Sequence, residues 1–256
     1  MDEDKKMRGI DKRIDAYRSK TKDSNDLKLE SGVFDVPTLK TLYTMASKGI
    51  IKAMGGVIST GKEADVFHAI GEGDREMAIK IYRIATSDFQ SMEDYLIGDP
   101  RFANIRSTKK DIVFAWTRKE QRNLERAGEA GVKVPTPITS ERNILVMEFI
   151  GKDGVSAPRL KDVKPEDPGK IYDIIADYMR RLYQEARLVH GDLSEYNILL
   201  YDGEPIIIDM GQAVMLEHPM SREFLSRDIK NVVRYFKKMG VECNEEDLNA
   251  QITKKE

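Results

Sequence analysis

Two long amphipathic patterns in the second half of this chain follow a first half built of short β-rich runs, and that order restricts the fold more than any other feature. Over 170–187, Ile171, Ile174, Ile175, Tyr178 and Leu182 share one helical face. Over 222–239, Leu225, Ile229, Val232, Val233 and Phe236 do the same. Before them, 52–58, 65–70 and 77–82 read as strands separated by glycine-containing turns, and 144–150 reads as a further apolar strand. Asp35 and Pro37 open a short helix that carries Leu39, Leu42, Tyr43 and Ala46 and ends at Gly49. The spacing predicts another helix over 116–130, a proline-broken stretch over 133–139, a hairpin of 198–201 with 206–208, and a last helix capped by Asn244. Residues 83–111 show weak periodicity and read as a long, mobile loop. This order predicts an α+β protein with two unequal lobes. The expected ranges are a helical extension over 1–50, a strand-rich lobe over 51–150 and a helix-rich lobe over 151–256.

Charge narrows the partners. The chain of 256 residues has 42 basic and 44 acidic side chains, so no global excess of positive charge points to nucleic acid, and sequence-specific DNA binding is not expected. Local lysines and arginines in the 101–122 stretch (Arg101, Arg106, Lys109, Lys110, Arg118, Lys119, Arg122) are the candidates for an RNA contact. Residues 1–30 carry 17 charges and few large apolar groups, which suits an exposed leader. Cys243 is the one cysteine, as in a reducing compartment. There is no long apolar run and no apolar segment near the start, so the expectation is a cytoplasmic protein without a membrane span. Composition is silent on oligomeric state.

The chemistry concentrates in His190-Gly191-Asp192-Leu193-Ser194-Glu195-Tyr196-Asn197 and in Ile206-Ile207-Ile208-Asp209. An Asp and an Asn on the loop after a buried helix, with a second Asp ending an apolar strand, form the set that phosphoryl transfer needs. A carboxylate orients the accepting oxygen, and oxygen ligands hold a divalent cation on the phosphates. Asp192 is then the orienting base, with Asn197 and Asp209 the metal ligands. Taken alone, either segment could equally be a turn built on Asx residues.

Ala78-Ile79-Lys80 places a lysine on an apolar strand, where it needs an anionic partner, and Glu120 on the following helix is the candidate; Glu125 lies on another face. The turn Ser59-Thr60-Gly61-Lys62-Glu63-Ala64 could present N–H groups and hydroxyls to phosphates, although it is neither a Walker motif nor a full glycine-rich loop. Met147, Glu148 and Ile150 end a strand where the two halves meet and could offer main-chain groups to adenine. His190 is expected to orient the catalytic loop by hydrogen bonding. His68 and His218 lack metal-ligand spacing, and Cys243 reads as a packing residue.

Ser59–Phe67 (STGKEADVF), His190–Asn197 (HGDLSEYN) and Ile208–Gln212 (IDMGQ), in this order, resemble the RIO family of atypical protein kinases, and within it the first subfamily. The resemblance covers roughly 35–240. It implies a two-lobed protein-kinase-like fold without a long activation segment, and a serine/threonine kinase or ATPase that uses ATP with Mg²⁺ or Mn²⁺. It also implies action on the precursor of the small ribosomal subunit. On this pattern Asp192 is the catalytic aspartate, Asn197 and Asp209 hold metal, Lys80 and Glu120 form the phosphate-binding pair, and Asp209 can accept the phosphate. Autophosphorylation is expected at Ser107 or Thr108. Two other functions share parts of the pattern: a small-molecule phosphotransferase of the aminoglycoside-kinase kind, and a non-catalytic nucleotide-binding scaffold.

Overall fold

The structure is a computed structural model that describes residues 34–85, 89–102 and 108–254. The expected leader over 1–30 and eight residues of the 83–111 stretch, 86–88 and 103–107, among them Ser87, Arg106 and Ser107, lie outside the described residues. The chain forms two compact units that interleave along the sequence. One comprises Met1–Asp88 with Ile138–Phe149, the other Phe89–Pro137 with Ile150–Glu256. These units differ from the continuous ranges 51–150 and 151–256, because 89–137 groups with the second.

Among the described residues the first unit begins with helix α1 (Val36–Ser47), whose N-cap Asp35 accepts from the Thr38 N–H at 2.8 Å while Pro37 sits in the first turn. Strands β1 (Ala53–Thr60), β2 (Ala64–Ile70) and β3 (Glu76–Tyr82) follow. Strands β4 (Pro137–Glu141) and β5 (Ile144–Glu148) complete an antiparallel sheet of order β1-β2-β3-β5-β4. Period-two alternation sorts its faces. Phe67, Ala69, Met77, Ile79, Ile81, Ile144 and Val146 pack with Leu42 and Met45 of α1 into one core. Lys80 lies between Ile79 and Ile81 and therefore projects from the other face. It is 8% exposed, with its ammonium 5.1 Å from the centre of the Tyr82 ring. Pro137 begins an edge strand, where its missing N–H breaks no ladder, and this is why a stretch that reads as proline-broken contains β4.

Asn143, buried in the turn between β4 and β5, joins α1 to the sheet. Its Nδ2 donates to the Tyr82 carbonyl at 2.9 Å and to Thr38 Oγ1 at 3.1 Å, and its own carbonyl accepts from the Tyr82 N–H. Nearby, Asp65 is completely buried and accepts from Arg83 at 2.6 Å.

The second unit contains α2 (Phe89–Leu96), α3 (Lys109–Glu129), α4 (Pro168–Gln184), α5 (Ser221–Lys238) and α6 (Glu245–Thr253). Short ribbons lie among them: β6 (Gly151–Lys152) with β7 (Val155–Ser156), β8 (Leu188–Val189) with β11 (Val214–Met215), and β9 (Ile198–Tyr201) with β10 (Glu204–Ile207). The expected core positions of α4 and α5 are buried, apart from Ile174. Asn244 caps α6 through the Asp247 N–H at 2.9 Å, and Gln184 at the end of α4 donates to the Ile252 and Lys254 carbonyls of the α6 end.

One expectation needs correction. The stretch 83–111 is not a continuous loop. It holds α2 and a single 3₁₀ turn over Pro100–Phe102, and α3 begins at Lys109 rather than Trp116. Thr108 caps α3, accepting from the Asp111 N–H at 3.2 Å and donating to the Asp111 carboxylate at 2.7 Å. The β-branched Ile112 and Val113 dilute the helical signal, but both are buried and packing overrides their propensity.

The Asp65–Arg83 pair yields a stability test. Arg83→Met leaves a carboxylate buried without its cation and lowers the unfolding free energy by about 3 kcal/mol. Adding Asp65→Leu restores most of the loss, because the pair is then replaced by apolar groups. Denaturant titration of the three variants measures both; a double variant no more stable than Arg83→Met contradicts this account.

Candidate active site

The candidate base and the candidate metal ligands, Asp192, Asn197 and Asp209, stand on two loops of the second unit. The first, 190–197, runs from β8 to β9; the second, 208–213, runs from β10 to β11. The β9–β10 hairpin sets their register. Ile207 pairs with Ile198, and one step further the Ile208 N–H donates to the Asn197 carbonyl at 3.0 Å. Asp209 thus follows the residue bonded to Asn197, and its charge acts on Asp192.

The first loop is held from below by α5. Asp228 of that helix accepts from the Gly191 and Leu193 N–H groups, both at 2.8 Å. Arg227 donates to the Gly191 carbonyl, and Asn231 to the Leu193 carbonyl at 3.2 Å. Both backbone groups on either side of Asp192 are therefore fixed by one helix. Asp192 itself is fixed by its own loop. Its N–H donates to His190 Nδ1 at 3.2 Å, and Asn197 Nδ2 donates to its carbonyl at 2.8 Å and to its Oδ2 at 3.0 Å. Because His190 Nδ1 accepts, the other ring nitrogen carries the proton and donates to the Ile208 carbonyl at 3.1 Å. His190 thus has the orienting part expected of it, and it spans both loops.

Gly191 has φ 81°, and a Cβ there would stand 2.9 Å from the Gln212 carbonyl oxygen, so the loops approach too closely for any other residue. Asp209 adopts a left-handed backbone, φ 63° and ψ 59°, at the entry to a 3₁₀ turn over Met210–Gln212. Asp is among the few side chains that tolerate this region.

The electrostatics suit a base beside a cation site. Burial pushes the Asp192 carboxyl above its ordinary range and the neighbouring Asp209 adds to this, against the Asn197 hydrogen bond and the Arg227 charge. A raised carboxyl is a better proton acceptor at neutral pH. Asn197 spends its NH₂ on Asp192, which leaves Oδ1 as the atom for a cation. The donor set of one amide oxygen and one exposed carboxylate, Asp209, fits Mg²⁺, which keeps most of its shell as water and phosphate.

The other candidates are placed as follows. Ser59–Ala64 is a tight hairpin turn closed by the Gly61 N–H on the Ala64 carbonyl at 2.9 Å, and Lys62 is exposed. It belongs to the first unit with Lys80, Met147 and Glu148; Met147 and Glu148 pair with Ala78 and Met77. Ile150 belongs to the second unit, and its carbonyl already accepts from the Ala157 N–H, so its N–H is the main-chain group it can offer. Glu120 is buried on α3 and Glu125 is exposed. His68 bonds Glu76 at 2.9 Å, and His218 accepts from the Met220 N–H, so both are structural. Thr108 is engaged as a helix cap. Of the basic residues in 101–122, Lys119 is fully buried and Arg101 is folded onto Asp99, so neither offers its charge to RNA. Asp228, Arg227 and Asn231 escaped the sequence reading, because the helical pattern shows which face of α5 is apolar and not which polar residue is aimed at a distant loop.

Asp228 gives a sharp prediction. Burial pushes its carboxyl up to about 6 even though two N–H groups favour the charged form. The folded value exceeds the unfolded one of 3.8, so its contribution to stability is fully present below pH 4 and is lost as pH rises through 6, a cost of roughly 2–3 kcal/mol. Asp228→Asn removes that slope, so its thermal midpoint rises relative to wild type between pH 4 and 7. It also turns an amide donor toward one of the two loop N–H groups, and turnover falls at least tenfold. Parallel melting and rate profiles against pH check both statements.

Comparison with known proteins agrees with the geometry. Residues 65–249 match the RIO domain. The chain is 49% identical over 250 residues to the RIO-type serine/threonine-protein kinase Rio1 of Haloferax volcanii, covering 98% of this chain and 86% of that protein. It is 44% identical over 231 residues to Rio1 of Methanocaldococcus jannaschii, covering 90% and 79%. It is also 41% identical over 234 residues to the human serine/threonine-protein kinase RIO1, covering 90% of this chain but only 41% of the human protein. Among solved structures, the Rio2 kinase–ADP/Mg²⁺–phosphoaspartate complex from Chaetomium thermophilum superposes with a TM-score of 0.64 at 25% identity, covering 85% of this chain and 66% of that one. The chain belongs to the RIO family of atypical serine/threonine protein kinases, in its Rio1 branch.

Proposed function

We propose that this kinase transfers the γ-phosphate of ATP with Asp192 as the base and Asn197 and Asp209 as the Mg²⁺ ligands. The observation that carries this reading is the constraint on Asp192: every main-chain group around it is bonded, and its carboxyl, raised above its ordinary range by burial, contacts Asn197. Such fixed geometry is what orientation of an accepting oxygen needs. Mg²⁺, or Mn²⁺ in its place, supplies charge neutralisation on the phosphates. Lys80 binds a phosphate oxygen and Glu120 is its anionic partner. The Ser59–Ala64 turn contributes N–H groups and hydroxyls, and Met147, Glu148 and Ile150 offer main-chain groups to the adenine. The ADP/Mg²⁺ content of the Rio2 complex supports the nucleotide and the metal.

Asp209 also serves as a phosphate acceptor. Its carboxylate oxygen forms a bond to the γ-phosphorus as the bond to the β–γ bridging oxygen breaks, ADP departs, and water later cleaves the acyl phosphate. The phosphoaspartate in the Rio2 complex supports this, and so does the short path from Asp209 to α5, only 11 residues between them, which leaves little room for a peptide-holding segment. The kinase then works mainly as an ATPase switch. Its setting, by family, is maturation of the small ribosomal subunit in the cytoplasm. Phosphate on its own serine or threonine falls at Ser107 or Thr108; at Thr108 it would replace the cap of α3 with a group that a helix N-terminus favours.

ATP turnover by wild type, Asp192→Ala and Asp209→Ala, with acid-stable and acid-labile phosphate assayed separately, tests the site. Asp192→Ala lowers turnover by a factor on the order of 10² or more. Asp209→Ala removes acid-labile phosphate as well as turnover. Wild-type protein that neither binds nor turns over Mg·ATP would sink the reading. Phosphopeptide mapping places any acid-stable label; label found only outside 83–111 removes Ser107 and Thr108.

A further inference from the structure

The turn that follows Asp209 is gripped by side chains that the chemistry above does not use. Lys119 of α3 is completely buried, and its ammonium donates to the Gly211 carbonyl at 2.7 Å and the Ala213 carbonyl at 2.6 Å. One helical turn on, Asn123 donates through Nδ2 to the Met210 carbonyl at 2.9 Å and the Ala213 carbonyl at 2.8 Å. Three of the four carbonyls over 210–213 thus receive four hydrogen bonds from two side chains. Trp116, one turn before Lys119, closes the grip. A Cβ on Gly211 would stand 2.9 Å from the indole nitrogen, so the turn packs directly against that ring.

This arrangement is expensive. A buried ammonium loses its hydration, and an apolar side chain of similar volume would cost less. Burial accordingly pulls Lys119 down to about 7. The structure offsets the cost with further groups. The ammonium stands 5.1 Å from the Trp116 ring centre and 6.0 Å from that of Tyr95. Asp99 lies within electrostatic reach, held as a carboxylate by Arg101 despite its own burial. Arg101 in turn donates to Asn123 Oδ1 at 3.0 Å, which orients the amide so that its NH₂ faces the turn. The whole set, Asp99, Arg101, Asn123 and Lys119, converges on 210–213.

A costly buried network that ends on the carbonyls beside a left-handed aspartate has one evident target. We propose that Lys119 and Asn123 are positioning residues for Asp209: they hold 210–213 in the shape that keeps Asp209 left-handed and aims its carboxylate at the cation. In a kinase with little chain between Asp209 and α5, this grip from α3 does the fixing that a longer segment could do by its own packing. Neither residue touches substrate or metal. The proposal rests on the reading of Asp209 as a Mg²⁺ ligand.

The test separates the two. Half-saturating free Mg²⁺ for ATP turnover is measured for wild type, Asp209→Ala, Lys119→Met, Asn123→Ser and Gly211→Ala, with Lys110→Met, an exposed lysine of the same helix, as control. Binding of a fluorescent ADP analogue in EDTA and thermal melting are measured in parallel. The expected result is a rise of at least tenfold in half-saturating Mg²⁺ for Lys119→Met, Asn123→Ser and Gly211→Ala, with metal-free ADP affinity within twofold of wild type. Lys110→Met stays at the wild-type value. Turnover indifferent to Asp209→Ala means that the parent reading has failed. If Asp209→Ala abolishes turnover while the three turn variants keep the wild-type Mg²⁺ requirement, or lose metal-free ADP affinity in equal measure, the positioning role is overturned. Should Lys119→Met fail to fold, Asn123→Ser and Gly211→Ala decide the matter, since they disturb the same turn and leave the buried charge in place.

Discussion

A single carboxylate under the 190–197 loop carries more of this structure than any other group. Asp228 accepts from the N–H groups on both sides of Asp192, and it does so at 1% exposure, where a charge is costly. The loop over 190–197 has almost no regular pairing of its own, so its N–H groups would otherwise be buried without acceptors. With Asp228, Arg227 and Asn231 in place, the loop becomes an extension of α5. The position of Asp192 is then set by a rigid helix and not by the loop's own weak preferences.

Much of this could be read in the sequence, and what could not shares one physical reason. Strands 65–70, 77–82 and 198–201, and the helices carrying Ile175 and Val232, announce themselves by local periodicity. Asp35 and Asn244 do so by cap chemistry. The loops around Asp192 and Asp209 stand out because their residue types are rare together. Missed elements are those that tertiary contacts hold: α2, the two-residue strands β8 and β11, and the edge strand that begins with a proline. The start of α3 had a signal, Thr108 followed three residues later by Asp111, which the β-branched residues after it obscured. Lys119 shows the limit most plainly. On charge alone it reads as a surface contact for RNA, and only the fold shows it buried against carbonyls a long way along the chain.

The second unit therefore holds its two functional loops by two different means. Below 190–197 an anion collects N–H donors; beside 210–213 a cation and an amide collect carbonyl acceptors. Both devices place ionisable groups where water cannot reach, and both shift them far from their ordinary values, Asp228 up to about 6 and Lys119 down to about 7. Stability alone would favour apolar residues at both places. Their presence fits loops that must keep one shape without a strand or helix of their own.

Gly191 adds a dynamic consequence to this static account. The gap between its Cα and the Gln212 carbonyl is too small for a side chain, and His190 bonds across to Ile208 on the same side. The two loops are thus in contact at one point and bonded at another. A thermal displacement of either cannot relax into free space; it pushes on its neighbour. The separation between Asp192 and Asp209 should fluctuate less than the position of either measured against the rest of the unit, so that what the fold preserves is a spacing more than a place.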